Sequence, residues 1–101
     1  MVKETFYFAR TFNLLIHYEL ENYSLLESLL SSTPKYLKSR RAIYATEKAL
    51  FRHLGKLLKT VDKKEKRKLV DDFKKEAHEL AQDPKERRVF NYLDLRLWVQ
   101  N

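Results

Sequence analysis

A single glycine, Gly55, in a chain of 101 residues leaves almost no material for tight β-hairpin turns, which depend on residues at positive φ. It also rules out a glycine-rich loop of the kind that cradles phosphates. No stretch alternates apolar and polar residues long enough to make a convincing strand, whereas apolar residues recur at spacings of three and four. The chain is therefore expected to be all-α. Hydrophobic residues make up 44% and aromatic residues 13% of it, enough for a core and too many for a disordered chain.

Helix-start signals and periodicity divide the sequence into about five antiparallel helices, over residues 4–21, 23–40, 41–60, 62–82 and 84–100, read together as one helical domain. The first is apolar around most of its circumference (Phe6, Phe8, Ala9, Phe12, Leu15, Ile16, Leu20), which calls for neighbours on more than one flank. Asn22, or Ser24 with Glu27, suits the start of the second. Pro34 then predicts a kink or a restart capped by Thr33. Ile43, Leu50, Leu54, Leu57, Leu58 and Val61 share one side of the third helix, where Gly55 marks either a close helix contact or a tolerated defect. Asp62 caps the fourth helix, which carries Leu69, Val70, Phe73, Ala77 and Leu80. Asp83-Pro84-Lys85-Glu86 starts the fifth, with Val89, Phe90, Leu93, Leu97 and Trp98 on its apolar side. Helices one, three and five begin about 40 residues apart. That period suits an α-solenoid of stacked hairpins, and an irregular helical bundle is the alternative.

Residues 14–30 carry a more particular pattern. Leu14, His17, the turn Glu21-Asn22-Tyr23, Leu26 and Leu30 fall where a tetratricopeptide repeat places its packing residues and its Gly-Asp/Asn-Tyr turn, and Pro34 follows as it often does in that family. The stretch resembles such a repeat, with Glu21 in place of the turn glycine and Leu26 in place of a small residue. The whole chain is also similar to the C-terminal helical part of uncharacterised bacterial repeat proteins. The resemblance implies tetratricopeptide-like hairpins and a scaffolding or protein-binding role, with no chemistry to carry over.

The residues themselves give little support to catalysis. With no cysteine there is no disulfide, thiol nucleophile or thiolate zinc site. His17, His53 and His78 each stand alone in a helix, without the paired spacing of helical metal ligands. The acidic pairs Glu19/Glu21 and Asp71/Asp72 lie on polar faces, and the serines have neither a neighbouring histidine nor a nucleophile elbow. No enzyme activity, cofactor or metal is expected.

Charge is the remaining signal. The formal net charge is +7, and residues 34–60 alone hold 8 basic groups against 1 acidic. Arg41, Lys48, Arg52, Lys56 and Lys59 are expected within an arc of roughly 80° on the third helix, as a patch for an acidic protein or a nucleic acid. The mixed run 63–68 reads instead as a salt-bridged solvated face. Tyr7, Asn13 and Tyr18 are expected as exposed partner contacts on the first helix. The absence of a signal peptide and of a spanning segment points to a soluble, cytoplasmic protein. A protein partner, unidentified, is the leading expectation, and self-association is compatible with it. Nucleic-acid binding through residues 34–60 is the runner-up, and weak docking on an anionic membrane surface the third.

Overall fold

The computed structural model describes residues 2–98, which are helical nearly throughout and contain no strand. The expectation of an all-α fold holds. No described helix is long and apolar enough to cross a membrane. The chain divides into two compact units, one ending at Ile43 and the other starting at Tyr44.

The first unit is a hairpin of α1 (Val2–Glu19) and α2 (Tyr23–Arg40). Phe8, Thr11, Leu14 and Leu15 of α1 are buried, as are Leu26, Thr33 and Leu37 of α2. The hairpin turn is a Schellman motif. The Asn22 amide donates to the His17 carbonyl (3.0 Å) and the Glu21 amide to that of Tyr18 (3.1 Å), which satisfies two of the carbonyls that a helix end leaves open. Such a turn needs a left-handed residue, and Glu21 supplies it at φ 60°. This is the position where the tetratricopeptide turn carries glycine.

Pro34 does not restart α2, which runs through it to Arg40, and Thr33 is buried as a core residue. Leu26, Thr33 and Leu37, spaced seven and four, keep one buried face on both sides of the proline. Packing along that face outweighs the loss of one backbone donor. Asn22 occupies the N-cap position without a side-chain cap bond; its amide nitrogen lies 3.2 Å from His17 Nδ1.

The second unit is built on α3 (Ala45–Lys59) and α4 (Lys63–Ala81). A 3₁₀ turn (Pro84–Glu86), α5 (Arg87–Tyr92) and α6 (Leu95–Trp98) complete it. Its core joins Ala49, Leu50, Leu54 and Leu57 to Phe73, Ala77, Val89, Leu93 and Leu95. Asp62 and Asp83 cap as expected, accepting from the Lys64 amide (3.0 Å) and the Lys85 amide (2.9 Å). Gly55 marks no close contact, since a Cβ there meets nothing within 4 Å.

Two boundaries differ from expectation. Helix three starts at Ala45, not at residue 41, because its first turn is capped from a distance. Glu86 Oε1 accepts from the Thr46 amide (2.8 Å) and the Thr46 hydroxyl (2.7 Å), and Glu47 accepts from the Tyr44 amide (3.0 Å). The last helix is broken rather than continuous. Leu93 and Leu95 are both buried, yet on one unbroken helix they would point about 160° apart. The break turns both inward, and Asp94 caps the new start by accepting from the Arg96 amide (3.1 Å). The expected end of this helix at residue 100 lies outside the described residues, and so do the side chains of Leu97 and Trp98.

Candidate interaction surfaces

Arg41 does not belong to the α3 stripe. It follows α2 in extended backbone, and its guanidinium lies over the rings of Phe8 (5.2 Å) and Tyr7 (5.5 Å). Its Nε is 3.6 Å from Glu4. These contacts tie the end of α2 back onto α1. Tyr7 and Tyr18, expected to be exposed, are half-buried against α2. Tyr7 meets Tyr36 edge-on at 6.2 Å, and Tyr18 packs against Tyr23 at 6.1 Å. Burial, with Tyr23 and Glu19 nearby, raises the Tyr18 phenol above its ordinary pKa. Asn13 is half-buried as well.

On α3, Lys48, Arg52, Lys56 and Lys59 are exposed along one side. The stripe is partly neutralised from α4, where Glu76 holds Arg52 through both carboxylate oxygens. A small open cleft of about 60 Å³ forms beside this pair, and Arg52, Lys56, Asp72 and Glu76 are among its lining residues. Behind it the His53 ring stacks on Phe73, with centroids 4.2 Å apart and planes 4° from parallel. Burial holds the His53 pKa down to about 4, against an opposing pull from Glu76, with Arg52 and Lys56 lowering it further. A neutral, stacked imidazole of this kind is a packing group at neutral pH. Among the described residues no three His, Asp or Glu side chains gather as a metal site would.

Two further surfaces stand out once residues are placed around the helix axes. The first is on α4. At about 100° per residue, Glu65, Asp72, Glu76 and Glu79 collect on one flank, the side from which Glu76 reaches Arg52. Lys63, Lys64, Arg67, Lys68, Lys74 and Lys75 occupy a separate arc, interrupted by Asp71. Charge balance along the sequence hides this separation around the axis. Arg67 and Asp71, Lys68 and Asp72, and Lys75 and Glu79 stand four residues apart where the two arcs meet, the spacing at which the mixed face expected from residue 63 onward pairs its charges.

The second surface is apolar. The buried side of α1 faces α2, but the opposite side carries Phe12, Ile16 and Leu20, which are 49%, 41% and 62% exposed. Phe6, at 50%, borders it, and Tyr23 and Leu25 lie exposed just beyond the turn. The flank that the sequence expects a neighbour to cover is open. Large apolar side chains grouped in this way differ from the scattered ones normal on a protein surface. Phe6 is held in place by Tyr36 (edge-on, 6.4 Å) and by Arg10, whose guanidinium sits 5.1 Å from the Phe6 ring and 3.9 Å from that of Tyr36. Phe6, fixed in this manner, loses little side-chain freedom when it is covered. Comparison with protein-family models, curated proteins and solved structures finds no match to this chain.

Proposed function

We propose that this chain is a non-catalytic, tetratricopeptide-like helical-hairpin module that binds protein through the outer face of α1. The observation that carries the reading is the exposed row Phe12, Ile16 and Leu20, bordered by Phe6. A left-handed residue at the hairpin turn, in the place of the family's glycine, supports the tetratricopeptide likeness. The test uses the chain as bait with rapid cross-linking and compares wild type with Leu20→Glu and Phe12→Ser variants of unchanged helical content. Loss of the same captured proteins from both variants is expected. An identical set of captured proteins from all three refutes the assignment.

A second reading, polyanion binding, is favoured by the cations of α4. Lys64 and Lys75 lie about 16 Å apart along the helix, with Arg67 and Lys68 between them. No aromatic residue shares their arc to stack a base, so the contacts would be to phosphates, with strong salt dependence. Titration of a nucleic-acid duplex at several salt concentrations separates the two patches. Charge reversal at Lys64 and Lys68 is expected to abolish binding, and reversal at Arg52 and Lys56 to leave most of it. The opposite order of effects returns the activity to residues 34–60, and no binding at low salt ends this reading.

A further inference from the structure

We infer that the outer face of α1 pairs with the same face of a second copy of the chain, antiparallel, about a two-fold axis near residues 12 and 13. This rests on the interaction-module reading above and names the occupant of the surface. The argument is one of self-complementarity. Around α1, at about 100° per residue, Ala9 and Ile16 lie on the midline of the open face. Phe12 stands to one side with Thr5 and Glu19. Asn13 stands to the other side with Phe6 and Leu20.

A two-fold axis perpendicular to the helices reverses the order along α1 while each flank still faces its own copy. With the axis between residues 12 and 13, Ile16 falls opposite Ala9 of the second copy, large against small. Phe6 falls opposite Leu20, apolar against apolar, at both ends of the same flank. Phe12 meets Phe12 on one flank and Asn13 meets Asn13 on the other, where two half-buried amides have donor and acceptor to exchange. Glu19 arrives beside Thr5 and the first turn of the facing α1, where the helix dipole favours an anion. Among the described residues named on the two flanks, no like charges face each other.

The size of the patch fixes the strength of the contact. Phe6, Phe12, Ile16 and Leu20, each about half exposed, offer on the order of 400 Å² per copy. With their neighbours they approach the roughly 1,000 Å² in total at which specific interfaces begin. A reversible, concentration-dependent dimer is the form that fits.

Sedimentation equilibrium on the full chain tests this. A monomer–dimer equilibrium is expected, with Ile16→Glu and Leu20→Glu each weakening it at least tenfold at unchanged circular dichroism. Because the chain has no cysteine, single thiols report geometry directly. Asn13→Cys is expected to be joined rapidly by a short bismaleimide, and Ser28→Cys, exposed on α2, slowly. The inference is overturned if the chain stays monomeric up to roughly millimolar concentration, well beyond the weak affinities that such an area supports. It is also overturned by a dimer in which Ser28→Cys links as fast as Asn13→Cys. A strictly monomeric chain that still captures other proteins through Leu20 would exclude the second copy and leave the interaction module standing.

Discussion

Acidification towards pH 4 should destabilise this protein through His53. The ring is 4% exposed and stacked on Phe73, and its pKa is lowered from 6.5 to about 4. Between those two values the unfolded chain binds a proton that the folded chain refuses, so stability rises with pH across the window. The contribution is complete above about pH 6.5 and is lost as pH falls towards 4. A displacement of about 2.5 units corresponds to at most about 3 kcal/mol, of which about 2 kcal/mol disappears between pH 7 and pH 5. Urea unfolding followed by far-ultraviolet circular dichroism at both pH values reads this loss. In His53→Leu the imidazole is gone, so its share of the pH slope should vanish. Parallel pH profiles for wild type and variant would refute the argument, because the proton would then be taken up elsewhere.

Three further substitutions test the local physics. Glu21→Gly removes a Cβ from a left-handed residue and should stabilise the first hairpin by about 0.5–1 kcal/mol in urea melts, after the entropy of glycine is offset; Glu21→Ala, which keeps the Cβ, should gain nothing. Gly55→Ala fills open space in the middle of α3 and should raise stability by about 1 kcal/mol, with a lower midpoint counting against the packing described. Glu86→Ala leaves the buried Thr46 donors without their acceptor and should cost about 1–3 kcal/mol. A double-mutant cycle with Thr46→Val isolates the shared part, and strict additivity of the two losses would mean that the pair does not interact.

The parts of the fold that could be read in the sequence are those decided within one turn of helix. Asp62 and Asp83 announce the caps they make, and the rows Leu69-Phe73-Ala77 and Leu50-Leu54-Leu57 announce the faces they bury. Where the structure departs from the local pattern, the deciding partner is distant or acts around the helix axis. The start of α3 has no Ser, Thr, Asp or Asn in front of it, because its acceptor comes from Glu86, 40 residues on. Arg41 carries no local sign that Tyr7, Phe8 and Glu4 will claim it. Leu93-Asp94-Leu95 suits a continuous helix until the burial of both leucines requires a break. The sequence shows that Arg52 and Lys56 are basic, but the acidic flank of α4 that meets them emerges only when charges are placed around the axis. The open face of α1 was legible as an apolar surface in need of a neighbour, though not as the side that α2 leaves exposed.

The reach of Glu86 back to Thr46 also imposes an order on biosynthesis. Thr46 emerges from the ribosome forty positions before the carboxylate that receives its two hydrogen bonds. Until that group arrives, the start of α3 has only the local bond from the Tyr44 amide to Glu47, and elongation pauses upstream of residue 86 would prolong that state.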